Sequence, residues 1–300
     1  MKSHNLEAKE LLSKIRRIEI KARGLTSQVF AGEYHSAFKG QGMAFSEVRE
    51  YQYGDPIRNI DWNVTARFNR PFIKIFEEER ELTVMLLVDV SASNIFGTGE
   101  NLKREFMTEI AAVIAFSAMK NNDKIGVIFF SDRVEKFIPP QKGKKHIMRI
   151  ILELLNFQPL HTTTNVTEVL KYYTNVIKKR STGFLLSDFI QPDASMDELQ
   201  DSLRLTNKKH DLVSLLIQDK GEFSLPRIGI TQIFDPETGK KIWVDTSSSK
   251  LQNHLHSWWS QRNENLTEAF KRSGVDFASL YTHEDYVKPL IQLFRRRGGR

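Results

Sequence analysis

Cysteine is absent from the 300 residues. That removes disulfide staples, thiolate-bound zinc, iron–sulfur clusters and thiol nucleophiles together, and it fits a reducing compartment. Long apolar runs are missing as well. The longest, Thr83 to Val90, falls far short of the ~18 residues a membrane span needs. Met1-Lys2-Ser3-His4-Asn5-Leu6-Glu7 has no apolar stretch of the kind a secretory signal carries. A cytoplasmic protein without a membrane span is expected. Phosphate-loop and hydrolase signatures are lacking too. Phe96-Gly97-Thr98-Gly99-Glu100 has glycines but no Gly-Lys-Ser/Thr, and no Gly-x-Ser-x-Gly elbow surrounds Ser91 or Ser93.

What is present is ordinary globular material, 40% hydrophobic and 27% charged with 20 Phe to fill a core, so disordered and fibrous classes are out. The net charge of +7 invites a nucleic-acid reading until it is located. Arg295, Arg296, Arg297 and Arg300 supply four of those charges at the C-terminus, where a solvated end is the expectation. The remaining body does not carry the basic stripe of a polyanion binder, and no nucleic-acid partner is expected.

Residues 5 to 23 read as an amphipathic helix with Leu11, Ile15 and Ile18 on one face, ended by Gly24. Gly32 to Asp55 reads as loops and short strands, and Phe72–Phe76 as a strand. From residue 80 the rhythm changes. Thr83–Asp89 is a near-continuous apolar strand ending in a carboxylate, the pattern of a strand buried on both faces. Helical stretches at 101–120, 143–156, 165–179, 195–206, 248–272 and 284–294 alternate with strands at 124–131, 134–138, 183–187, 212–218 and 275–281. A hairpin is expected from 229–234 and 241–245 across Asp235-Pro236-Glu237-Thr238-Gly239. Alternation of this kind predicts an α/β sandwich on a mostly parallel sheet from 80 to 300, with an N-terminal extension over 1 to 79 packed against it. The Phe-rich helix and the pair Trp258-Trp259 read as core. His254 and His256, two apart on a helix, diverge and do not chelate.

In open parallel sheets ligands sit beyond the carboxyl ends of the strands. Two strands here end in Asp, and the first continues as Asp89-Val90-Ser91-Ala92-Ser93. One carboxylate and two hydroxyls form a hard, oxygen-only donor set suited to Mg²⁺ or a similar divalent cation such as Mn²⁺ or Ca²⁺. Asp188 can add a second carboxylate, directly or through water, and Thr162-Thr163-Thr164 a further hydroxyl. Hydroxyls donate weakly, so such an ion stays electrophilic and keeps a position open to an incoming carboxylate. That is a docking site more naturally than a catalytic one.

Asp89-x-Ser91-x-Ser93, a downstream Thr and the strand-terminal Asp188 resemble the metal-ion-dependent adhesion site of von Willebrand factor type A domains. Thr164-Asn165-Val166 is similar to that family's Thr-Asn-aliphatic step and singles out Thr164. Where the family usually has two glycines before it, this chain has His161-Thr162-Thr163. The resemblance implies the von Willebrand A-like (Rossmann-like) three-layer fold, with the metal held by Asp89, Ser91, Ser93, Thr164 and Asp188, the last from one shell further out.

Upstream, Arg49-Glu50-Tyr51-Gln52-Tyr53-Gly54-Asp55-Pro56-Ile57-Arg58-Asn59-Ile60-Asp61-Trp62, then Ala66-Arg67, resembles the hallmark of the bacterial domain-of-unknown-function family fifty-eight, over nearly the whole chain. Members of that family are typically paired with MoxR-type AAA+ ATPases. The resemblance implies an adaptor that works with such an ATPase on a client protein supplying an acidic residue. Arg49, Asp55, Arg58, Asp61 and Arg67 have two readings: a salt-bridge network that pins an N-terminal layer to the sheet, or part of a partner surface. The competing function is a Mg²⁺-dependent hydrolase or phosphatase acting through Asp89 and Asp188. Against it, the position two residues after Asp89, where a phosphatase keeps a second acid, is Ser91. No third acid or His is evident near those strand ends.

Overall fold

The strand from Thr83 to Asp89 is buried at every residue but the first and lies inside a six-stranded sheet. The structure is a computed structural model that describes residues 2–26, 34, 37, 44–77, 81–95, 102–191, 195–223, 225–234 and 241–298. The glycine-containing loop at 96–100 and the turn of the expected hairpin lie outside the described residues.

In chain order the elements are α1 (Lys2–Leu25), β1 (Ala44–Glu50), α2 (Trp62–Phe68), β2 (Phe72–Glu77), β3 (Thr83–Asp89), α3 (Lys103–Lys120), β4 (Lys124–Phe130) and β5 (Val134–Gln141). There follow α4 (Lys144–Asn156), α5 (Val166–Val176), β6 (Thr182–Ser187), α6 (Met196–Lys209), β7 (Asp211–Gln218) and the short α7 (Lys220–Phe223). The chain then runs through β8 (Ile230–Phe234), β9 (Lys241–Asp245), α8 (Ser249–Arg272), β10 (Asp276–Tyr281) and α9 (Val287–Gly298). The expected elements over 80–300 are present, with ends displaced by a few residues. The helix read at 165–179 stops at Val176, and that read at 284–294 begins at Val287.

The sheet order is β10-β7-β6-β3-β4-β5. All pairs are parallel except β4–β5, which closes one edge antiparallel. Side chains of β3 alternate between the two faces as the pleat requires. Val84, Leu86 and Val88 join a core with α1, α3, α4 and α9, whereas Met85 and Leu87 join one with α5, α6 and α8. Each such buried aliphatic contributes about 1.5–3 kcal/mol. The result is the three-layer, mostly parallel α/β sandwich expected from the sequence.

Parts of the first 79 residues belong to this body. Ile18 and Ala22 of α1 lie in the core beside α3, Lys14 Nζ reaches Glu105 Oε1 at 2.5 Å, and Lys21 pairs with Glu109. The Tyr34 hydroxyl donates to Asp123 Oδ2 at 3.3 Å, and Asp123 Oδ1 accepts the Leu82 amide at 2.9 Å. The β1–α2–β2 unit behaves differently. Its bonds stay within residues 44–77, and among the described residues no hydrogen bond or ion pair joins it to the six-stranded sheet.

Two expectations need correction. The arginine tail is not simply a solvated end: Arg297 inserts between strands, its Nη1 2.5 Å from Asp276 Oδ2 and its Nη2 2.5 Å from Asp211 Oδ1. Planar guanidinium geometry serves both carboxylates at once. Of the tryptophan pair, Trp259 is buried, but Trp258 is 49% exposed.

A candidate metal-binding cleft at the switch point of the sheet

Strands β3 and β6 are neighbours whose connections leave in opposite directions across the sheet, to β4 and β7. That is the topological switch point, where the carboxyl ends of a doubly wound sheet open a crevice. Asp89 ends β3, and Asp188 directly follows β6. Ser91 and Ser93 lie on the turn after β3, and Thr164 on the loop entering α5. All five are buried.

Four of them converge. Asp89 Oδ1 accepts the Ser91 amide at 3.0 Å, and Asp89 Oδ2 accepts the Thr164 hydroxyl at 3.4 Å and the Ser187 hydroxyl at 2.5 Å. Ser91 Oγ lies 3.0 Å from Ser93 Oγ, and the Asn94 side-chain Nδ2 donates to Ser91 Oγ at 3.1 Å. The loops are held in place by backbone bonds: Ala92 N to Thr162 O at 3.0 Å, Val90 N to Phe130 O at 2.8 Å and Asn165 N to Ser131 O at 2.9 Å. Before Thr164, none of His161, Thr162 and Thr163 has a positive φ, and Glu135 Oε1 accepts the Leu160 and His161 amides at 3.2 and 3.0 Å.

Asp188 stands apart from this cluster. Its Oδ2 accepts from Lys103 Nζ at 2.8 Å, its Oδ1 accepts the Ile190 amide at 3.0 Å, and Arg262 donates to its backbone carbonyl. Lys103 also pairs with Glu222 of α7. Phe189, the next residue, has φ 57°, left-handed backbone that a bulky side chain adopts at a cost of roughly 1–2 kcal/mol. Its amide donates to Ser187 Oγ at 2.9 Å, and its ring packs edge-on against Phe270. The chain is thus turned sharply directly after Asp188.

The electrostatics separate the two aspartates. Burial, then the charge of Asp188, pushes the Asp89 carboxyl up to about 7. Burial works in the same direction on Asp188, but the Lys103 ammonium outweighs it and holds that carboxyl below its ordinary range. Asp89 is therefore the carboxylate that lacks a cationic partner among the described residues. A hard cation on it would relieve that cost, and the converging hydroxyls are the donors Mg²⁺ accepts. Asn94 Oδ1, buried without a hydrogen-bond partner, is a further oxygen in the same turn. Asp89, Ser91, Ser93 and Thr164 fit such an ion. A carboxylate-rich cage is not the design, since no group of three or more His, Cys, Asp or Glu is gathered for a metal among the described residues.

Lys103, Glu222, Arg262 and Ser187 are missing from the sequence reading. A third acid does stand beside Asp188, contrary to expectation, yet Glu222 is committed to Lys103. Of the upstream residues, Arg49 clamps Asp55 in a two-pronged pair at 2.8 and 2.9 Å. Asp61 caps α2 through the Asn63 and Val64 amides at 3.0 and 3.2 Å and faces Lys74 Nζ at 3.4 Å. Arg58 and Arg67 are exposed and have no ion-pair partner among the described residues. The set is not brought to the metal cleft.

Residues 47–265 match the family described as "Protein of unknown function DUF58". The chain belongs to that family. Uncharacterized relatives in Mycobacterium bovis and Mycobacterium tuberculosis are 24% identical over 98% of this chain and 93% of theirs. The uncharacterized protein YeaD of Bacillus subtilis is 28% identical over 36% of this chain and 25% of its own. Among solved structures, the conserved hypothetical protein BatB of Bacteroides thetaiotaomicron aligns with a TM-score of 0.51 at 13% identity, over 73% of this chain and 100% of that one. A von Willebrand factor type A structure from Catenulispora acidiphila aligns with a TM-score of 0.42 at 9% identity, over 76% of this chain and 43% of that one. Such likeness speaks to fold alone. The strand order with its antiparallel edge makes this DUF58 protein a doubly wound, mostly parallel α/β sandwich. Among its described residues no helix is long and apolar enough to cross a membrane.

Proposed function

We propose that this DUF58 protein is a protein-interaction module whose cleft holds a divalent cation, Mg²⁺ first, on Asp89, Ser91, Ser93 and Thr164. The reading rests on one observation: a buried carboxylate with no cation beside it, met by hydroxyls, at the switch point of the sheet. When bound, the ion supplies an electrophilic position that a partner's Asp or Glu completes. Asp188 supports from outside that shell through its contacts with Lys103 and Ile190. The partner we propose is a MoxR-type AAA+ ATPase, with an acidic client as the protein remodelled.

The β1–α2–β2 unit supports an interaction role from a second direction. Helix α2 buries none of its residues, and Ile57 and Trp62 are 68% and 67% exposed. Exposed large apolar side chains beside Arg58 and Arg67, which have no ion-pair partner among the described residues, suit an acidic protein surface. The hydrolase alternative needs Asp188 or Glu222 as a free base, and Lys103 occupies both. Affinity capture in Mg²⁺ and in EDTA, with wild type and Asp89→Ala, tests the reading. Recovery of an AAA+ ATPase only with Mg²⁺ and intact Asp89 supports it; equal recovery in EDTA, or ester hydrolysis abolished by Asp89→Ala, overturns it.

A further inference from the structure

Lys103 is the most deeply buried cation beside the cleft, with none of its side chain exposed. An ammonium is expensive to bury unless it is fully paired. Here it bonds Asp188 Oδ2 at 2.8 Å and pairs with Glu222, whose other oxygen, Oε2, accepts the Asp219 amide at 3.0 Å. The carboxylates hold the ammonium above its ordinary range despite burial, so it keeps its charge at neutral pH. A second cation, Arg262, donates to the Asp188 carbonyl and lies over the Trp259 ring at 4.9 Å. Of the two aspartates, Asp188 thus has a fixed ammonium against it, which it shares with Glu222, whereas Asp89 has amide and hydroxyl donors and, among the described residues, no cation beside it.

We infer that Lys103 sets the cation affinity of the cleft and makes it depend on the partner's acid. The inference rests on the metal reading above. A divalent ion on Asp89 meets one carboxylate with no cation beside it among the described residues, while Lys103, shared with Glu222, offsets part of the charge of Asp188. The ammonium itself repels a second cation across a low-dielectric interior, where charge–charge energies greatly exceed those in water. The resting site is therefore weak for its ion. A carboxylate arriving from outside supplies the missing charge, so ion and acid bind with positive, reciprocal coupling. Lys103 is a positioning residue: it touches neither the ion's donors nor the acid, and acts through Asp188.

The test is a charge ladder read by calorimetric titration of Mn²⁺ into the full chain, with and without acetate as the probe acid. Wild type should bind Mn²⁺ weakly alone and about fivefold or more tighter with acetate, within the usual range of coupling. Lys103→Met adds one net negative charge and should tighten Mn²⁺ alone by at least about tenfold while shrinking the acetate effect. Glu222→Gln leaves the ammonium less compensated and should weaken Mn²⁺ binding; it also keeps the test intact if Lys103→Met does not fold. Structural damage does not tighten a metal site, so a gain of affinity separates this role from a packing role. Equal Mn²⁺ affinity in wild type, Lys103→Met and Glu222→Gln refutes the inference and leaves the metal reading standing. No Mn²⁺ binding by wild type in either buffer refutes both.

Discussion

Ser187 Oγ, at the end of β6, donates to Asp89 Oδ2, at the end of β3, across 2.5 Å. It is the shortest of the bonds that keep the Asp89 carboxylate in place, and it joins the two strands that flank the switch point. Ser187→Ala leaves a buried acceptor short of a partner and should destabilise the cation-free protein by about 1–3 kcal/mol. Urea unfolding measures it. A change below a few tenths of a kcal/mol would show that Thr164 and the Ser91 amide suffice.

The edge strand predicts a larger loss. A methyl group on Gly126 of β4 would come 2.8 Å from Ile138 O, 2.8 Å from Met85 Sδ and 2.9 Å from Pro140 N. Two of those atoms are backbone and cannot step aside. Gly126→Ala should cost about 1–3 kcal/mol or more through overpacking, seen as a lower urea midpoint and faster amide exchange along β5.

His210 gives a pH signature. Its Nδ1 lies 3.1 Å from Ser181 Oγ, its ring stacks on Tyr173 at 4.4 Å, and its Nε2 is buried without a partner. Burial, then Lys209 and Arg180, pulls it down to about 4. A group depressed from an ordinary value near 6.5 contributes stability that is complete above pH ~6.5 and lost as pH falls toward 4. The loss is on the order of 3 kcal/mol. Asp123, which burial raises to about 6, works in the opposite sense between pH 4 and 6. The readout is therefore the difference between wild type and His210→Gln, which should narrow steadily from pH 7 to pH 4. A constant difference would refute the assignment.

On the upstream unit, Trp62→Ser and Arg67→Glu change side chains that are largely exposed. Unfolding free energies should stay within about 0.5 kcal/mol of wild type, while capture of the partner falls. A large stability loss with capture unchanged would make these residues structural.

The sheet was legible because its strands are apolar runs punctuated by carboxylates, and periodicity is enough for that. The register of Asp89, Ser91 and Ser93 was legible for the same reason: alternate residues after a strand share a direction. Lys103 was not, because a lysine at a helix start reads as solvated. Its signal was its spacing, three, four and seven residues before the buried Phe106, Met107 and Ile110, which places it on the buried stripe of α3. Glu222 and Arg262 carry no such mark, since their burial arises when α7 and α8 fold over the crevice. The exposure of Trp258 beside the buried Trp259 likewise follows from which face α8 turns to the sheet, which a tandem pair leaves undecided.

The central claim is that Asp89 holds a divalent cation. Thermal unfolding of wild type and Asp89→Ala, each in Mg²⁺ and in EDTA, tests it most directly, because a ligand that binds only the native state raises its melting temperature. The account predicts a Mg²⁺-dependent rise in wild type that Asp89→Ala abolishes. The same shift in both proteins, or none in wild type at saturating Mg²⁺, would contradict it.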